Sequence, residues 1–454
     1  MQLVGEFYRA VGDVPSVRKS VMKMDFPRCT DYKQCVYWPR AKALVREKLH
    51  YVWKNTGPCN SEIVLHRMNM KTSAGFPLGH IGLKKKGDCV KNNSFMTYLF
   101  CSALLRDLPV WKVSPKTEWL SLQDLLEGKV RTFIIPPFHL VFWCVFLYYY
   151  QNLMLKMYWW SAYGFNPYQG GTNRMGQKLK PFYRKICFDV RGWDRLLPIL
   201  RTVYNTRQKY IPDHWQPHAV WVENNTISSC VLLPNGDVVM RDCGNNSGSG
   251  NTTSDNIVSH MFIYMLALLC LYDGDEDKAM ACVADLFGDD NTSGIVRTPK
   301  SDDEIEQSFR STYRLFGLEL DPFVISTEVE DMEFLGFKFT QINGYYIPKY
   351  NVGRLCSAFA FEIDAHDADA EIAKAFSLTI MSCGNGEEVF NKLATALDAL
   401  IHTVPCKNST YLLDVGAPTF YDAISFCAGL EVKSSSFKLF NGGWRYKKNE
   451  DELQ

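Results

Sequence analysis

Apolar and polar residues follow two periods along the chain, and these periods predict its helices and strands. The run 185–189 (Lys-Ile-Cys-Phe-Asp) is short and mostly apolar, as in a buried strand that ends in a carboxylate, and a helix is expected at 196–208. The run 252–272 has the length and apolar content of a long buried helix, and 281–287 again predicts a strand. Apolar residues then recur at helical spacing, at Ile305, Phe309, Tyr313 and Phe316.

Turn residues separate these elements. Pro234-Asn235-Gly236-Asp237 predicts a hairpin that joins strands 226–233 and 238–241, because Asn-Gly supplies the positive φ angles of a tight turn. The segment 244–250 is rich in Gly, Asn and Ser and is expected to be a mobile loop. Beyond residue 350 the pattern is mostly helical. The chain is therefore expected to belong to the α+β class.

Two apolar runs, 140–150 and 261–272, have the composition of membrane spans. Each is shorter than the ~20 residues that a helix needs to cross a bilayer. Both are therefore predicted to be buried helices, and no transmembrane segment is expected. The aromatic stretch that ends at Trp159-Trp160 leaves a peripheral contact with a membrane surface open.

Acidic residues follow two of the predicted strands. Asp189 and Asp194 enclose the sequence Val-Arg-Gly-Trp, and Asp289 and Asp290 follow Gly288 and are expected to form the turn after strand 281–287. Alone, a Gly-Asp-Asp triplet usually marks a solvated turn. Two strands that bring acidic side chains to one point, however, make a divalent-metal site of the kind that phosphoryl transfer needs, with Asp189 and Asp289 as the principal ligands.

A third segment, Ser247-Gly248-Ser249-Gly250-Asn251-Thr252-Thr253-Ser254-Asp255-Asn256, lies between the two acidic clusters. This order of segments resembles the RNA-dependent RNA polymerases of positive-strand RNA viruses, in particular the picornavirus-, calicivirus-, sobemovirus- and astrovirus-like supergroup. Thr72-Ser73-Ala74-Gly75-Phe76-Pro77 resembles the family's template-strand motif. Lys116, Lys129 and 131–136 resemble its basic motif for incoming nucleotides, and Glu333-Phe334-Leu335-Gly336-Phe337 resembles the hairpin that grips the primer strand.

The resemblance implies template-directed RNA synthesis, in which a primer 3′-hydroxyl attacks the α-phosphate of a nucleoside triphosphate with the help of two Mg²⁺ ions, Mn²⁺ being the alternative. The implied catalytic residues and metal ligands are Asp189, Asp289 and Asp290. The implied nucleotide-binding residues are Asp194, Ser247, Thr252, Asn256, Lys116, Lys129 and Arg131. Three of these, Asp194, Thr252 and Asn256, would recognise the ribose 2′-hydroxyl. The implied RNA-binding residues are Thr72, Ser73, Gly75 and Gly248.

The resemblance also implies a right-hand polymerase. The fingers would comprise residues 1–180 and 211–240. The palm, an antiparallel sheet flanked by helices, would comprise residues 181–210 and 241–348. The thumb, which is mainly helical, would comprise residues 349–454. The implied partners are an RNA template and primer and nucleoside triphosphates, with a protein primer and other viral replication proteins as further candidates. The implied location is the host cytoplasm, in membrane-associated replication complexes.

Charge and cysteine content add two expectations. The formal net charge is only +1, so affinity for RNA must come from local patches. The 15 cysteines contain no Cys-x-x-Cys pair and are predicted to be reduced thiols. One basic stretch is expected either to contact RNA or to form a solvated surface, and it contains Arg174, Lys178, Lys180, Arg184, Lys185, Arg191, Arg195, Arg201, Arg207 and Lys209.

The chain departs from the family pattern in having no lysine between Lys300 and Lys338, where the family often places the proton donor for pyrophosphate. Arg310 and Arg314 lie in this interval, but an arginine is a poor proton donor because it hardly deprotonates. The proton donor is therefore left unassigned. A reverse transcriptase and an inactive, RNA-binding polymerase-like scaffold stay open as alternative functions.

Overall fold

The computed structural model describes residues 7–9, 14–22, 29–116, 119–127, 131–191, 193, 199–242, 244–360, 368–403 and 417–432. Its helices are α1 Val14–Met22, α2 Trp38–Trp53, α3 Ser61–Arg67, α4 Lys86–Val90, α5 Asn93–Cys101, α6 Leu122–Leu126, α7 Phe138–Met154, α8 Gly171–Leu179, α9 Leu200–Arg207, α10 Gln216–Ile227, α11 Thr252–Leu271, α12 Glu276–Ala281, α13 Asp302–Arg314, α14 Val352–Ala360, α15 Ala368–Met381, α16 Glu387–Thr403 and α17 Phe420–Ala428. Its strands are β1 Phe7–Arg9, β2 Val110–Pro115, β3 Trp119–Ser121, β4 Thr132–Ile135, β5 Arg184–Arg191, β6 Ser229–Leu232, β7 Val238–Arg241, β8 Val283–Phe287, β9 Asp290–Ile295, β10 Glu319–Ser326, β11 Glu333–Phe334, β12 Phe337–Ile342 and β13 Tyr345–Tyr350. The protein thus mixes helices and sheets, as the apolar periods predict.

The chain divides into two compact units. The larger unit comprises Tyr8–Gly164 and Phe188–Ile325. The smaller unit comprises Phe7 and the described residues of Phe165–Cys187 and Ser326–Gln454. The predicted catalytic, nucleotide-binding and RNA-binding segments all fall in the larger unit.

Two four-stranded sheets underlie the candidate site, with strand orders β10-β5-β9-β8 and β4-β2-β6-β7. Pairs β8–β9, β2–β4 and β6–β7 are antiparallel, whereas β2 and β6 are parallel. The first order places β5, which carries Asp189, beside the β8–β9 hairpin, which carries Asp289 and Asp290. Two acidic segments that are far apart in sequence therefore lie on neighbouring strands.

Helix α11 forms the centre of the larger unit. Its residues from Ile257 to Leu269 have no exposed surface, and it packs against α2, α9, α13 and β8. By length and composition α11 is able to span a membrane, but 94% of its most apolar 18-residue stretch is buried inside the protein. One such helix among the described residues is weak support for a membrane span, and the expected lack of a transmembrane segment stays a prediction.

Helix α13 confirms the helical spacing of its apolar residues. It begins at a capping box, in which the Glu304 amide donates to Ser301 Oγ (3.3 Å) and the Ser301 amide donates to Glu304 Oε2 (2.7 Å). Ile305, Phe309 and Tyr313 are buried on one face. This face covers α11.

The smaller unit contains the predicted primer-grip hairpin. Phe334 of β11 pairs with Phe337 of β12, so Leu335 and Gly336 form a two-residue turn. Both have positive φ angles, +49° and +75°, as a type I′ turn requires. The described elements of this unit after β13 are helical, as predicted, and they bury an apolar cluster that includes Ile372, Phe376, Phe390, Leu397 and Ile424.

Some predicted boundaries are wrong. Helix α10 continues to Ile227, so β6 begins at Ser229 rather than at residue 226, and in the turn that follows it only Gly236 has a positive φ angle (+92°). The run 140–150 is confirmed as part of the buried helix α7. Trp160 is also buried and donates Nε1–H to the Cys282 carbonyl (3.2 Å), which leaves this ring no free surface for a membrane.

Candidate active site

Asp189 lies near the end of β5, where buried and exposed side chains alternate. Phe188 and Val190 are buried, whereas Asp189 and Arg191 keep exposed surface on the opposite face of the strand. The surrounding protein displaces water from the Asp189 carboxyl, and this desolvation raises its pKa above the ordinary value. The Val190 amide and the guanidinium groups of Arg131 and Arg191 act in the opposite direction.

A second carboxylate, Asp321 on β10, also acts on Asp189. It forms an ion pair with Arg191 and raises the pKa of the Asp189 carboxyl by like-charge repulsion. Asp189 is therefore surrounded by two arginines and an acid, and its charge responds to all three. The sequence did not predict Asp321, because an isolated acid before a proline has no distinctive pattern.

Asp289 and Asp290 lie at the tip of the β8–β9 hairpin. Phe287 pairs with Asp290, so Gly288 and Asp289 alone form the turn, and Asp290 is the first residue of β9. The expectation that both aspartates form the turn is wrong by one residue. Gly288 has a φ angle of +67°, which glycine adopts without steric cost.

The segment 244–250 is held more firmly than its composition predicts. Asn245 and Asn246 are buried; Asn246 accepts a hydrogen bond from Arg241 and donates to Ser229 Oγ (2.9 Å). Side-chain amides, which suit loops, here form hydrogen bonds to other buried side chains. The expected mobile loop is therefore anchored at its first half, whereas Ser247 is exposed.

Thr252 and Asn256, the proposed ribose-recognition residues, lie in the first turns of α11. Thr252 Oγ1 donates to the Asn246 carbonyl (2.6 Å), and Asn256 Oδ1 accepts from Asn245 Nδ2 (3.0 Å). Asn256 is buried and Thr252 is half-buried. These bonds fix both side chains against the loop that precedes the helix.

Three of the predicted motifs, at 72–77, 131–136 and 247–256, contact one another through their backbones. The Phe138 amide donates to the Ala74 carbonyl (2.9 Å), and a Cβ on Gly75 would lie 2.5 Å from the Pro136 carbonyl oxygen. A Cβ on Gly248 would overlap the Ile134 carbonyl oxygen. The two glycines are thus required by close approach of the chains, which is a structural reason for residues that the resemblance assigns to RNA binding.

The other predicted side chains in this region are exposed, and each forms a hydrogen bond to the backbone. Ser247 Oγ accepts from the Ile134 amide (3.2 Å), Ser73 Oγ from the Gly75 amide (3.1 Å), and Thr72 Oγ1 donates to the Asn69 carbonyl (2.7 Å). Sequence motifs that are about 60 and 110 residues apart therefore form one continuous surface.

The basic motif lies at one end of this surface. The Lys116 amide donates to the Arg131 carbonyl (2.9 Å), which places the two residues opposite each other where β2 and β4 begin to diverge, and both side chains are exposed. Arg131 also lowers the pKa of Asp189, which places its charge near the acidic cluster. Lys129 and Asp194 lie outside the described residues.

Two members of the predicted basic stretch are buried and do not form an RNA-binding surface. Arg207 has no exposed side-chain surface and pairs with the equally buried Asp255 (Nε to Oδ1, 2.7 Å). Its guanidinium group lies over the rings of Trp53 and Tyr148. Lys185 is also buried and donates to the Phe182 carbonyl (2.7 Å). The expectation of RNA contact is wrong for these two residues.

Sequence reasoning also missed His260, which contacts the Gly-Asp-Asp turn. Its Nδ1 lies 2.8 Å from the Gly288 carbonyl oxygen and its Nε2 lies 2.8 Å from Tyr313 Oη. A histidine within an otherwise apolar helical run, four residues after Asn256, was the available signal.

Comparison with known proteins identifies the family. A family model described as viral RNA-dependent RNA polymerase matches residues 13–400. The chain is 22% identical over 378 residues to a genome polyprotein of Lettuce mosaic virus (strain 0 / isolate French), covering 79% of this chain and 11% of that protein. It is 26% identical over 201 residues to the non-structural polyprotein 1AB of Human astrovirus-1, covering 41% and 14%.

A third relative, the non-structural polyprotein 1AB of Turkey astrovirus 1, is 22% identical over 342 residues, covering 70% of this chain and 21% of the polyprotein. The chain thus spans between about a tenth and a fifth of the length of these relatives. Because the family model matches most of the chain, the protein belongs to the viral RNA-dependent RNA polymerases, a family of nucleotidyltransferases.

Proposed function

We propose that this chain copies RNA templates by two-metal nucleotidyl transfer, with Asp189 and Asp289 as the principal Mg²⁺ ligands and Asp290 as an assisting carboxylate. The observation that carries the proposal is the strand order, in which β5 neighbours the β8–β9 hairpin. This order puts the strands that carry acidic residues from two distant segments beside each other.

The donor chemistry of these residues suits magnesium. Mg²⁺ prefers carboxylate oxygens and retains several waters and substrate phosphates in its shell, so a few protein carboxylates are sufficient. Among the described residues no group of three or more His, Cys, Asp or Glu side chains is arranged to hold a metal. We therefore propose that water and triphosphate oxygens complete the site. A bound divalent ion would activate the 3′-hydroxyl and neutralise the leaving pyrophosphate, and Mn²⁺ is the alternative ion.

Arg131 is the proposed clamp for the triphosphate, since its guanidinium fork suits phosphate oxygens and its charge lies near Asp189. Lys116 and Lys129 would add positive charge. Ribose recognition is assigned to Thr252, Asn256, Asp194 and Ser247, and template contact to Thr72, Ser73, Gly75 and Gly248.

The remaining assignments follow from family membership. We propose that residues 1–180 and 211–240 are fingers, 181–210 and 241–348 palm, and 349–454 thumb. The substrates would be an RNA template, an RNA primer and nucleoside triphosphates. Other viral replication proteins, a protein primer among them, would be partners in complexes on host cytoplasmic membranes.

Primer extension on an RNA template tests the activity. Purified protein should extend an RNA primer with ribonucleotides in the presence of Mg²⁺, and Asp189→Asn and Asp289→Asn should each reduce incorporation at least a thousandfold. Each change keeps the size of the side chain and removes a charge that the metal needs. Asp303→Asn, an exposed acid on α13, is the matched control and should retain full activity.

The sugar of the incorporated nucleotide separates the alternatives. Extension with deoxynucleotides alone would favour a reverse transcriptase. RNA binding without extension would favour an inactive scaffold. Robust extension by either active-site variant would refute the two-metal assignment.

A further inference from the structure

His260 connects four segments of the larger unit. It projects from α11 and is fully buried, and its ring packs against Trp193 (centroids 4.9 Å apart) and Phe188 (6.0 Å), which flank Asp189 in sequence. Both ring nitrogens have oxygen neighbours at 2.8 Å, the Gly288 carbonyl and the Tyr313 hydroxyl. One imidazole therefore contacts both acidic segments and the helix that covers α11.

The two oxygen neighbours determine which nitrogen carries the proton. A carbonyl oxygen can only accept, so Nδ1 carries the hydrogen and donates to Gly288. Nε2 is then unprotonated and accepts from the Tyr313 hydroxyl. Burial lowers the pKa of His260 to about 4 and raises that of Tyr313, so both groups are neutral at neutral pH, as this arrangement requires.

The Gly288 carbonyl belongs to the peptide between the two turn residues. Rotation of this central peptide by about half a turn is what distinguishes type I′ from type II′ turns, and it changes ψ of the first residue and φ of the second. Gly288 imposes little barrier to the rotation, because glycine tolerates either arrangement. The hydrogen bond from His260 also ties this peptide to α11, and so it fixes where the turn and the Asp289 side chain lie relative to the helix. A hydrogen bond to this carbonyl selects one of the two arrangements.

We propose that His260 and Tyr313 are a pair of positioning residues that hold the Gly288–Asp289 turn against α11 and so position the Asp289 carboxylate for the metal. The inference rests on the proposed role of Asp289 as a metal ligand. His260 supplies the hydrogen bond to the turn. Tyr313 fixes the ring tautomer by donating to Nε2, in the way that second partners orient histidines elsewhere.

Three variants of the full chain separate these roles. His260→Leu removes both hydrogen bonds at similar volume. His260→Asn keeps an amide N–H near the position of Nδ1 and is the conservative rescue. Tyr313→Phe removes only the hydroxyl that fixes the tautomer. Phe309→Leu is the control, because this buried ring packs against Phe188 and Tyr264 and has no group that could form a hydrogen bond to the turn.

Two measurements do not depend on activity. The first is hydrogen–deuterium exchange of the peptide spanning residues 286–292, which should become at least tenfold faster in His260→Leu. The second is binding of Mn²⁺ to the protein without nucleotide, followed by electron paramagnetic resonance, which should weaken about tenfold. Tyr313→Phe should show smaller changes of two- to threefold in both. His260→Asn should lie within threefold of the wild type.

Primer extension supplies a third measurement. His260→Leu should raise the Mg²⁺ concentration for half-maximal extension about tenfold, while the KM for RNA stays unchanged. Phe309→Leu should lower the melting temperature but leave metal dependence and turn exchange as in the wild type. Wild-type exchange and Mn²⁺ affinity in His260→Leu would overturn the inference, as would equal changes in Phe309→Leu.

The outcomes also separate this inference from the proposed function. A wild-type protein that extends no primer contradicts the proposed function, whereas turn exchange and Mn²⁺ binding still decide the role of His260. If His260→Leu does not fold, Tyr313→Phe decides it, since this variant removes only the hydroxyl that fixes the tautomer. Wild-type exchange and Mn²⁺ affinity in Tyr313→Phe would then overturn the positioning role.

Discussion

Replacing Arg207 by methionine tests how much the buried ion pair contributes to the larger unit. Arg207 and Asp255 have no exposed side-chain surface, and Arg207 also donates to Ser254 Oγ (3.0 Å). Methionine fills much of the space of the arginine stem and still packs against the neighbouring ring of Trp53. The charge of Asp255 then has no counterion inside the protein.

The expected loss is about 3–5 kcal/mol of unfolding free energy, the usual result of removing one partner of a buried pair. This is a large part of the about 5–15 kcal/mol that stabilises a typical protein. The loss does not measure the value of the pair, because most of it is the penalty of an unpaired buried carboxylate. A double variant, Arg207→Met with Asp255→Leu, should therefore recover most of the loss.

The loss should also depend on pH. Desolvation already raises the pKa of Asp255, and Arg207 opposes the rise, so the variant raises this pKa further. When a carboxyl has a higher pKa in the folded protein than in the unfolded chain, the protein loses stability as pH rises through the folded pKa. The deficit of Arg207→Met relative to the wild type should thus be smaller at pH 5 than at pH 8.

Urea unfolding followed by tryptophan fluorescence at both pH values measures these quantities. Arg40→Met is the matched control, because Arg40 makes an exposed ion pair with Glu276 in the same unit and its loss should change the midpoint little. A loss for Arg207→Met no larger than for Arg40→Met would refute the reasoning. So would a deficit that is unchanged between pH 5 and pH 8.

Three further predictions concern single residues. Arg131→Ala should raise the KM for nucleotide about tenfold with RNA affinity unchanged; a change confined to the salt dependence of RNA binding would contradict its role as a triphosphate clamp. Burial lowers the pKa of His139 to about 4, so its neutral form contributes stability above pH 6.5 that is lost as pH falls toward 4. Between pH 7 and pH 5 the wild type should lose about 2 kcal/mol of unfolding free energy that His139→Phe does not lose, as measured by urea unfolding. An unaltered pH dependence in His139→Phe would contradict this. Gly248→Ala should lower the unfolding free energy by about 1–3 kcal/mol, because its Cβ would overlap the Ile134 carbonyl oxygen. Gly57→Ala, with no neighbour within 4 Å, should not lower it. Equal changes of melting temperature in the two variants would contradict this prediction.

The features that sequence predicted well depend on local pattern. The strand that carries Asp189 follows from a short apolar run, although it continues two residues beyond the predicted end, to Arg191. Helices α11 and α13 follow from apolar length and spacing. The hairpin at Leu335-Gly336 was expected from the resemblance of residues 333–337 to the family's primer-grip motif, and Phe334 and Phe337 pair across it. In each case the residues that determine the element are close together in the chain.

The features that sequence did not predict depend on distant partners. Arg207 was expected on the surface because many basic residues surround it in the sequence. Trp53 and Asp255, which bury it, lie about 150 and 50 residues away in the chain. Ile227 is β-branched and favours a strand, but tertiary packing extends α10 through it. The role of His260 depends on its contact with the Gly288 carbonyl, which lies 28 residues away in the chain.

Helix α11 also has a consequence for synthesis of the chain. Its apolar surface is covered in part by α13, which ends at Arg314, about 40 residues after α11 is complete. At about 5–20 residues per second, the ribosome needs roughly 2–8 s to make that cover. During this interval the nascent chain carries an apolar helix of membrane-spanning length without its final partner. Correct folding therefore depends on what meets this helix first, a chaperone, a nearby membrane or the late-emerging α13.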